Sequence, residues 1–286
     1  MDKYINRKTK EINDNQDPYG SRFIYKNIFG RIILKLATKR FVSRLAGFYL
    51  NRKISTKLIK NFIRDNNINM DEYVKEDYKC FNQFFARKIK KGKRPFSEKK
   101  EDFCAPCDSN LLVYKIDQKQ EFVIKGKTYT IKRILRDENL AKEYENGYLL
   151  VFRLSVDDYH RYSYIDNGKT LSYKNIKGKF HTTSPIAFDE FKVYEEAQRE
   201  YNVLDTENFG KIIQMEIGAL LVGKIVNHNK ETFKRGEEKG YFLYGGSTVA
   251  IMVKENVLKI DDDILEYSNK KIETKVKLGE KVAKRL

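Results

Sequence analysis

The sequence predicts an α+β fold in which N-terminal basic amphipathic helices cap a mostly antiparallel β body. Two textures carry that expectation. In the first third of the chain, apolar residues recur with helical spacing. From Leu111 onward they fall into short or alternating runs separated by Gly, Asn and charged turns, which is how strands read. The composition agrees, since 41% of the 286 residues are apolar and 13% aromatic, enough to build a core. No apolar run approaches the ~20 residues that cross a bilayer.

Taken in order, the start MDKYINRKTKEIND is polar and lacks the apolar segment of a signal peptide, so ordinary secretion is not expected. Residues 28–50 read as a helix. Ile28, Ile32, Leu36, Phe41, Leu45 and Phe48 line one face, and Arg31, Lys35, Lys39, Arg40 and Arg44 occupy the rest. An apolar stripe beside a purely basic one suits a membrane interface. It equally describes a helix packed on the core with a solvated basic face. A second helix is expected over 55–66 and a third at Phe81–Phe85, ended by Lys90-Lys-Gly-Lys-Arg-Pro95. Strands are expected at 111–114, 122–124, 148–154, 212–217, 220–226, 241–244 and 249–253, with one helix between them over 134–144. The division that follows is a basic helical, membrane-associating region, 1–75, and a body, 76–286.

The charge sharpens the first region. The formal net charge is +17, and residues 1–60 hold fifteen Lys or Arg against four Asp or Glu. Residues 21–60 hold eleven basic residues and no acidic one. Compositional drift explains many lysines but not the missing carboxylates. Such a block is a surface for anions, either nucleic acid or an anionic membrane. Nucleic-acid binding would interleave aromatics with cations on a sheet face. The basic block lies on an amphipathic helix instead, so no nucleic-acid partner is expected. Three Cys make a disulfide framework unlikely to be the organising device and fit a reducing compartment.

Few residues can do chemistry near neutral pH. There are three His, at 160, 181 and 228, and only His160 stands in a polar cluster, Asp157-Asp-Tyr-His-Arg161, directly after an apolar strand. A lone His is still more often structural. Cys104-Ala-Pro-Cys107 is a CxxC pair without a second pair, so neither a metal nor a redox centre is expected. Asp108 reads as a turn former or as a group that orients a His. Gly245-Gly-Ser-Thr248, between two apolar runs, reads as a tight hairpin turn. No P-loop, dinucleotide fingerprint or G-x-S-x-G elbow is present.

In order along the chain, Phe81-Asn-Gln-Phe-Phe-Ala-Arg87, Arg94-Pro95, Ala105-Pro-Cys-Asp108, Asp158-Tyr-His-Arg161, Phe209-Gly210, Val222-Gly223 and Gly245-Gly-Ser-Thr248 resemble the motifs of phosphatidylserine decarboxylase proenzymes. Pro185 and Arg199 also fall where that family places a Pro and an Arg. The resemblance spans about residues 75–286. It implies self-cleavage at Gly246-Ser247, with Ser247 attacking the Gly246 carbonyl. Elimination from the resulting ester releases the Gly246 carboxylate and leaves dehydroalanine, which hydrolyses to a pyruvoyl group on residue 247 and ammonia. The products would be a β chain, 1–246, and an α chain, 247–286, held together, with a homo-oligomer left open. The pyruvoyl carbonyl, a covalent cofactor made from Ser247, would take the phosphatidylserine amine as a Schiff base and act as the electron sink.

Asp108 stands at the family's acid position and His160 at its first His. The sequence departs at Ser163, where the family carries its second His, assigned to self-cleavage, and at Ser109, where it carries Gly. A serine is no base at pH 7. Either His160 serves both steps, or another group does, or processing fails and the chain is a non-processing membrane-binding homologue. Retention of Ser247, Gly246, Asp108 and His160 together favours the active enzyme. A relative acting on a soluble amino acid would lack the basic helix. The expected address is the cytoplasmic face of the cell membrane, as a peripheral protein.

Overall fold

The computed structural model describes residues 3–15, 40–178, 192–218, 224–244 and 247–286, with backbone alone at 40–44. His181, Pro185, Val222, Gly223, Gly245, Gly246 and the expected helix before residue 40 lie outside them.

The polar start forms strands β1 (Lys3–Asn6) and β2 (Ile12–Asp14) rather than helix. Helices follow at α1 (Arg40–Leu50), α2 (Lys57–Asp65) and α3 (Phe81–Phe85), where helical spacing placed them. Next come β3 (Asp102–Cys104), β4 (Ser109–Lys115), β5 (Glu121–Ile124) and β6 (Lys127–Thr130). The single helix expected over 134–144 is two, α4 (Ile131–Leu135) and α5 (Glu138–Lys142). Arg136 breaks it with a left-handed backbone, φ 48°, and the Asp137 side chain then accepts from the Leu140 N–H at 3.0 Å, capping a new start. The buried Arg199 guanidinium donates to the carbonyls of Arg133, Ile134, Glu195 and Ala197, tying these helix ends to the body.

The remaining strands are β7 (Tyr148–Leu154), β8 (Arg161–Ser163), β9 (Gly168–Ile176), β10 (Arg199–Thr206), β11 (Gly210–Gly218), β12 (Ile225–Asn227), β13 (Thr232–Phe233), β14 (Glu238–Phe242), β15 (Ser247–Val253), β16 (Leu258–Ile260), β17 (Glu273–Val276) and β18 (Lys281–Arg285). Two further helices are α6 (Val193–Glu196) and α7 (Asp262–Asn269). Ten strands make one sheet in the order β13-β9-β10-β11-β15-β7-β4-β17-β1-β2, and β12-β14-β8 and β16-β18-β3 make two smaller ones. Pairing is antiparallel except between β1 and β17.

Period-two alternation gives the large sheet two buried faces. Leu112, Leu149, Val151, Met215, Ala250 and Met252 face α4 and α5. Leu111, Leu150, Phe152, Val249 and Ile251 face the smaller sheets, with Tyr162, Tyr164 and Phe242. A third cluster joins the helical cap to the site: Phe81, Phe84, Phe85 and Tyr159, with Phe62 and Tyr244 against them. The strands flanking residues 245–246, which the expected hairpin would pair with each other, take other partners among the described residues. Strand β14 pairs with β8 and β12, whereas β15 pairs with β7 and β11, so the chain crosses here from a small sheet to the large one.

Candidate active site

Ser247 opens β15, whose seven residues STVAIMV are all buried because both faces of the sheet are covered there. It lies opposite Gly218 on one side and Leu154 on the other. The residue is 1% exposed, and its hydroxyl has no hydrogen-bond partner among the described residues. Leaving such a group unmet costs about 1–3 kcal/mol, and the neighbouring Thr248 hydroxyl is buried in the same condition.

His160 stands on the turn that leaves β7. That turn is closed by Asp158, whose Oδ2 accepts from the Ser155 N–H at 2.9 Å. The His160 carbonyl accepts from the Phe242 N–H at 2.9 Å, fixing the turn beside the end of β14. Its Nδ1 lies 2.9 Å from the Asp158 carbonyl. A carbonyl oxygen only accepts, so Nδ1 carries the proton and Nε2 the lone pair. Nε2 is buried and has no partner. The Phe85 ring lies against the imidazole with centroids 3.9 Å apart. Burial first, then the Arg87 charge, pull the imidazole down from 6.5 to about 3, against the opposite pull of Asp158. At neutral pH the ring is therefore an uncharged base.

Asp108 does not orient this imidazole. Its carboxylate is saturated by other donors: Arg94 Nε at 2.9 Å, Arg94 Nη2 at 2.7 Å, Lys277 Nζ at 3.2 Å and the Leu278 N–H at 2.8 Å. Arg94 also meets Glu72 at 2.8 Å. Asp108 is thus a buried junction between the helical cap and the C-terminal strands. The task of fixing the His160 tautomer falls to the Asp158 backbone. The Asp158 side chain is held in turn by Lys275 Nζ at 2.8 Å. Burial would raise the Asp158 carboxyl, but Lys275 and Lys277 outweigh it and hold it below the usual carboxylate range.

Ser163 is buried on β8. Its N–H donates to the Pro106 carbonyl at 2.9 Å and its carbonyl accepts from Gln214 Nε2 at 3.3 Å. Position 163 is therefore packed between the Ala105–Asp108 turn and the large sheet. Ser109 begins β4 opposite Val276. Asn82 of α3 accepts from the Tyr244 N–H at 3.1 Å, so the helical cap grips the chain just before the Gly-Gly-Ser stretch. Cys104 and Cys107 are free and buried, and burial pushes the Cys107 thiol well up, away from reactivity. No group of three or more His, Cys, Asp or Glu suited to a metal exists among the described residues. His228 meets Glu238 at 2.9 Å on the surface.

Sequence reasoning gave no role to Lys275 and Lys277. Their signal was faint: Lys-Val-Lys alternates like a strand with cations on one side. Nothing local said that this side turns toward Asp108 and Asp158.

Residues 81–284 match the family model described as phosphatidylserine decarboxylase. The chain is 50% identical over 281 residues to phosphatidylserine decarboxylase proenzyme 2 of Clostridium acetobutylicum, covering 97% of each. It is 40% identical over 295 residues to the phosphatidylserine decarboxylase proenzyme of Clostridium botulinum, covering the whole of both. The proenzyme of that name from Fusobacterium nucleatum is 38% identical over 287 residues, or 97% of this chain and 96% of its own.

Proposed function

The chain belongs to the phosphatidylserine decarboxylase family, and from that membership we propose that it cuts itself between Gly246 and Ser247 and then converts phosphatidylserine to phosphatidylethanolamine and carbon dioxide. The observation that carries this reading is the orphan hydroxyl of Ser247 at the head of a buried strand. A residue with neither solvent nor partner suits a group that is consumed. The residues fit the pyruvoyl group that such an enzyme makes for itself, since Ser247 supplies its atoms and its place. Once formed, that group supplies the electron sink for loss of the carboxylate.

The chain's own residues do the rest. His160 Nε2 and the Ser247 hydroxyl, both buried, are not hydrogen-bonded to each other; Nε2 takes the Ser247 proton once they meet, the Asp158 carbonyl keeping that nitrogen free of hydrogen. Phe85, itself packed edge-on against Tyr244, lies over the imidazole and excludes water, which favours a neutral base. With Ser163 unable to accept a proton, His160 serves both self-cleavage and decarboxylation. Asp108 works at a distance: with Arg94, Lys277 and the Leu278 amide it locks the future α chain, 247–286, to the β chain, 1–246.

The same reading places the protein on the cytoplasmic face of the cell membrane as a peripheral protein, with 1–75 as the contact region and 76–286 as the decarboxylase body. Support comes from one edge of the cap. Leu45, Phe48, Tyr49, Ile54 and Leu58 are all exposed there, amid Arg52, Lys53 and Lys57. Apolar residues inside a cationic rim suit an anionic lipid surface.

Intact mass under denaturing conditions tests the core of the proposal. Purified protein should give two polypeptides, split between residues 246 and 247, and the shorter should resist Edman sequencing because it begins with a ketone. Ser247→Ala should give one chain. A wild type that stays whole would favour the non-processing homologue instead.

A further inference from the structure

Arg87 is a buried cation without an anion. It is 1% exposed, and its guanidinium lies over the rings of Tyr73 and Phe84 at 4.3 and 5.2 Å. All its hydrogen bonds leave from one nitrogen. Nη2 donates to the Tyr73 hydroxyl at 3.2 Å and to the carbonyls of Asp157 and Asp158 at 3.0 and 3.3 Å. Nε and Nη1 are buried and have no acceptor among the described residues. None of the described carboxylates forms an ion pair with it. A guanidinium cannot shed its charge to escape this position, and fully buried arginines are almost always paired. The free donors sit beside the site, because Arg87 and His160 share the Asp158 carbonyl.

We propose that Arg87 is the receptor for the phosphodiester of the lipid headgroup, a proposal that rests on the decarboxylase reading and extends it. Phosphatidylserine carries two anions, a carboxylate and a phosphodiester. Pairing the carboxylate with a buried cation would stabilise it against leaving as neutral carbon dioxide. The phosphodiester keeps its charge from substrate to product, so a fixed cation can hold it throughout the reaction. With Nη2 committed, Nε and Nη1, on different edges of the guanidinium plane, each keep an N–H for a phosphate oxygen, a fixed charged donor set that a lysine would not reproduce. The tyrosine and phenylalanine faces hold the guanidinium plane in place before a ligand arrives.

Calorimetric titration of the purified, processed protein tests this with soluble probes. Glycerophosphoethanolamine has the phosphodiester and no carboxylate, and serine has the reverse. Glycerophosphoethanolamine should bind wild type and lose tenfold or more in affinity to Arg87→Gln, with Arg87→Lys recovering only part; serine should be unaffected. Unchanged glycerophosphoethanolamine binding, or an equal loss for serine, would overturn the proposal. Inorganic phosphate binding as tightly as the diester would make this a free-phosphate site and overturn the headgroup assignment. Should neither variant fold, wild type decides alone: the neutral methyl triester of glycerophosphoethanolamine should bind at least tenfold more weakly, and equal binding refutes a charge receptor. Arg87-dependent diester binding without carbon dioxide release from phosphatidylserine vesicles would sustain the receptor and sink the decarboxylase reading. Carbon dioxide release without diester binding would do the opposite.

Discussion

A neutral histidine held by a backbone carbonyl sets the behaviour of the site at the scale of single residues. His160→Ala should abolish both chain splitting and decarboxylation, where a relative with two histidines would separate them; a cell-free time course reads this. Normal splitting in that variant would assign the proton to some other group. Ser163→His should speed splitting if the ring fits, but position 163 is packed beneath the Pro106 carbonyl, so overpacking of about 1–3 kcal/mol opposes it. The imidazole also makes stability depend on pH. Its folded value of about 3 lies below the ordinary 6.5, so between these limits the unfolded chain binds a proton that the folded one does not. Stability therefore falls as pH drops from 6.5 toward 3, by about 1.4 kcal/mol per unit for this group. Urea melts at pH 7 and pH 4.5 should show His160→Gln losing less stability on acidification than wild type. The sequence singles out His160 and Ser247 because histidines are scarce and the Gly-Gly-Ser-Thr stretch resembles a known one, and the structure adds that both are buried. The tautomer was not legible, since it depends on a turn two residues long.

Among the elements, helices with strong period and strands with apolar runs were legible, and β7 begins and ends where its run does. The misplaced helix over 134–144 failed at Arg136, a non-glycine residue in a left-handed conformation that no pattern announces. The expected hairpin at residue 247 failed because two adjacent apolar strands joined by Gly-Gly look alike whether or not they pair. Only long-range pairing with β7 and β11 decides it. The exposed edge of α1 and α2 yields a prediction of its own. Leu45, Phe48, Ile54 and Leu58 all changed to Ser should lower the melting temperature only modestly, because these residues are 40–60% exposed. Vesicle binding should weaken by about 1–2 kcal/mol for each side chain that had entered the lipid. Removing Lys35, Lys39, Arg40 and Arg44 should cost about 1 kcal/mol per charge on anionic vesicles, with salt mimicking the loss. Equal binding to neutral and anionic vesicles would refute the electrostatic part.

Across the whole molecule, the strands on either side of residue 247 interleave. From the C-terminal forty residues, β15 lies between β11 and β7, β17 lies between β4 and β1, and β18 pairs with β3. Arg7 near the N-terminus reaches Asp261 and Asp263 at 2.8 Å each and closes the same seam. This arrangement was out of reach of the sequence, which shows where strands lie but not which of them are neighbours. The cut protein should therefore elute as one species of undiminished size under native conditions and separate into 1–246 and 247–286 only in denaturant. Separation in native buffer would contradict the interleaving.

If the chain is cut at residue 247 as proposed, a strand that is fifth of ten in a sheet becomes part of another polypeptide, and folding becomes a single-use event. The intact precursor folds as one molecule, at a rate indifferent to its concentration. After cutting, the same architecture could be regained only by two chains meeting, with the shorter forced to thread its strands between partners already committed to each other. Unfolded product should then fail to recover at low concentration, while unfolded Ser247→Ala recovers at any dilution. The lifetime of a protein cut in this way would be fixed by the rate of its first unfolding rather than by an equilibrium.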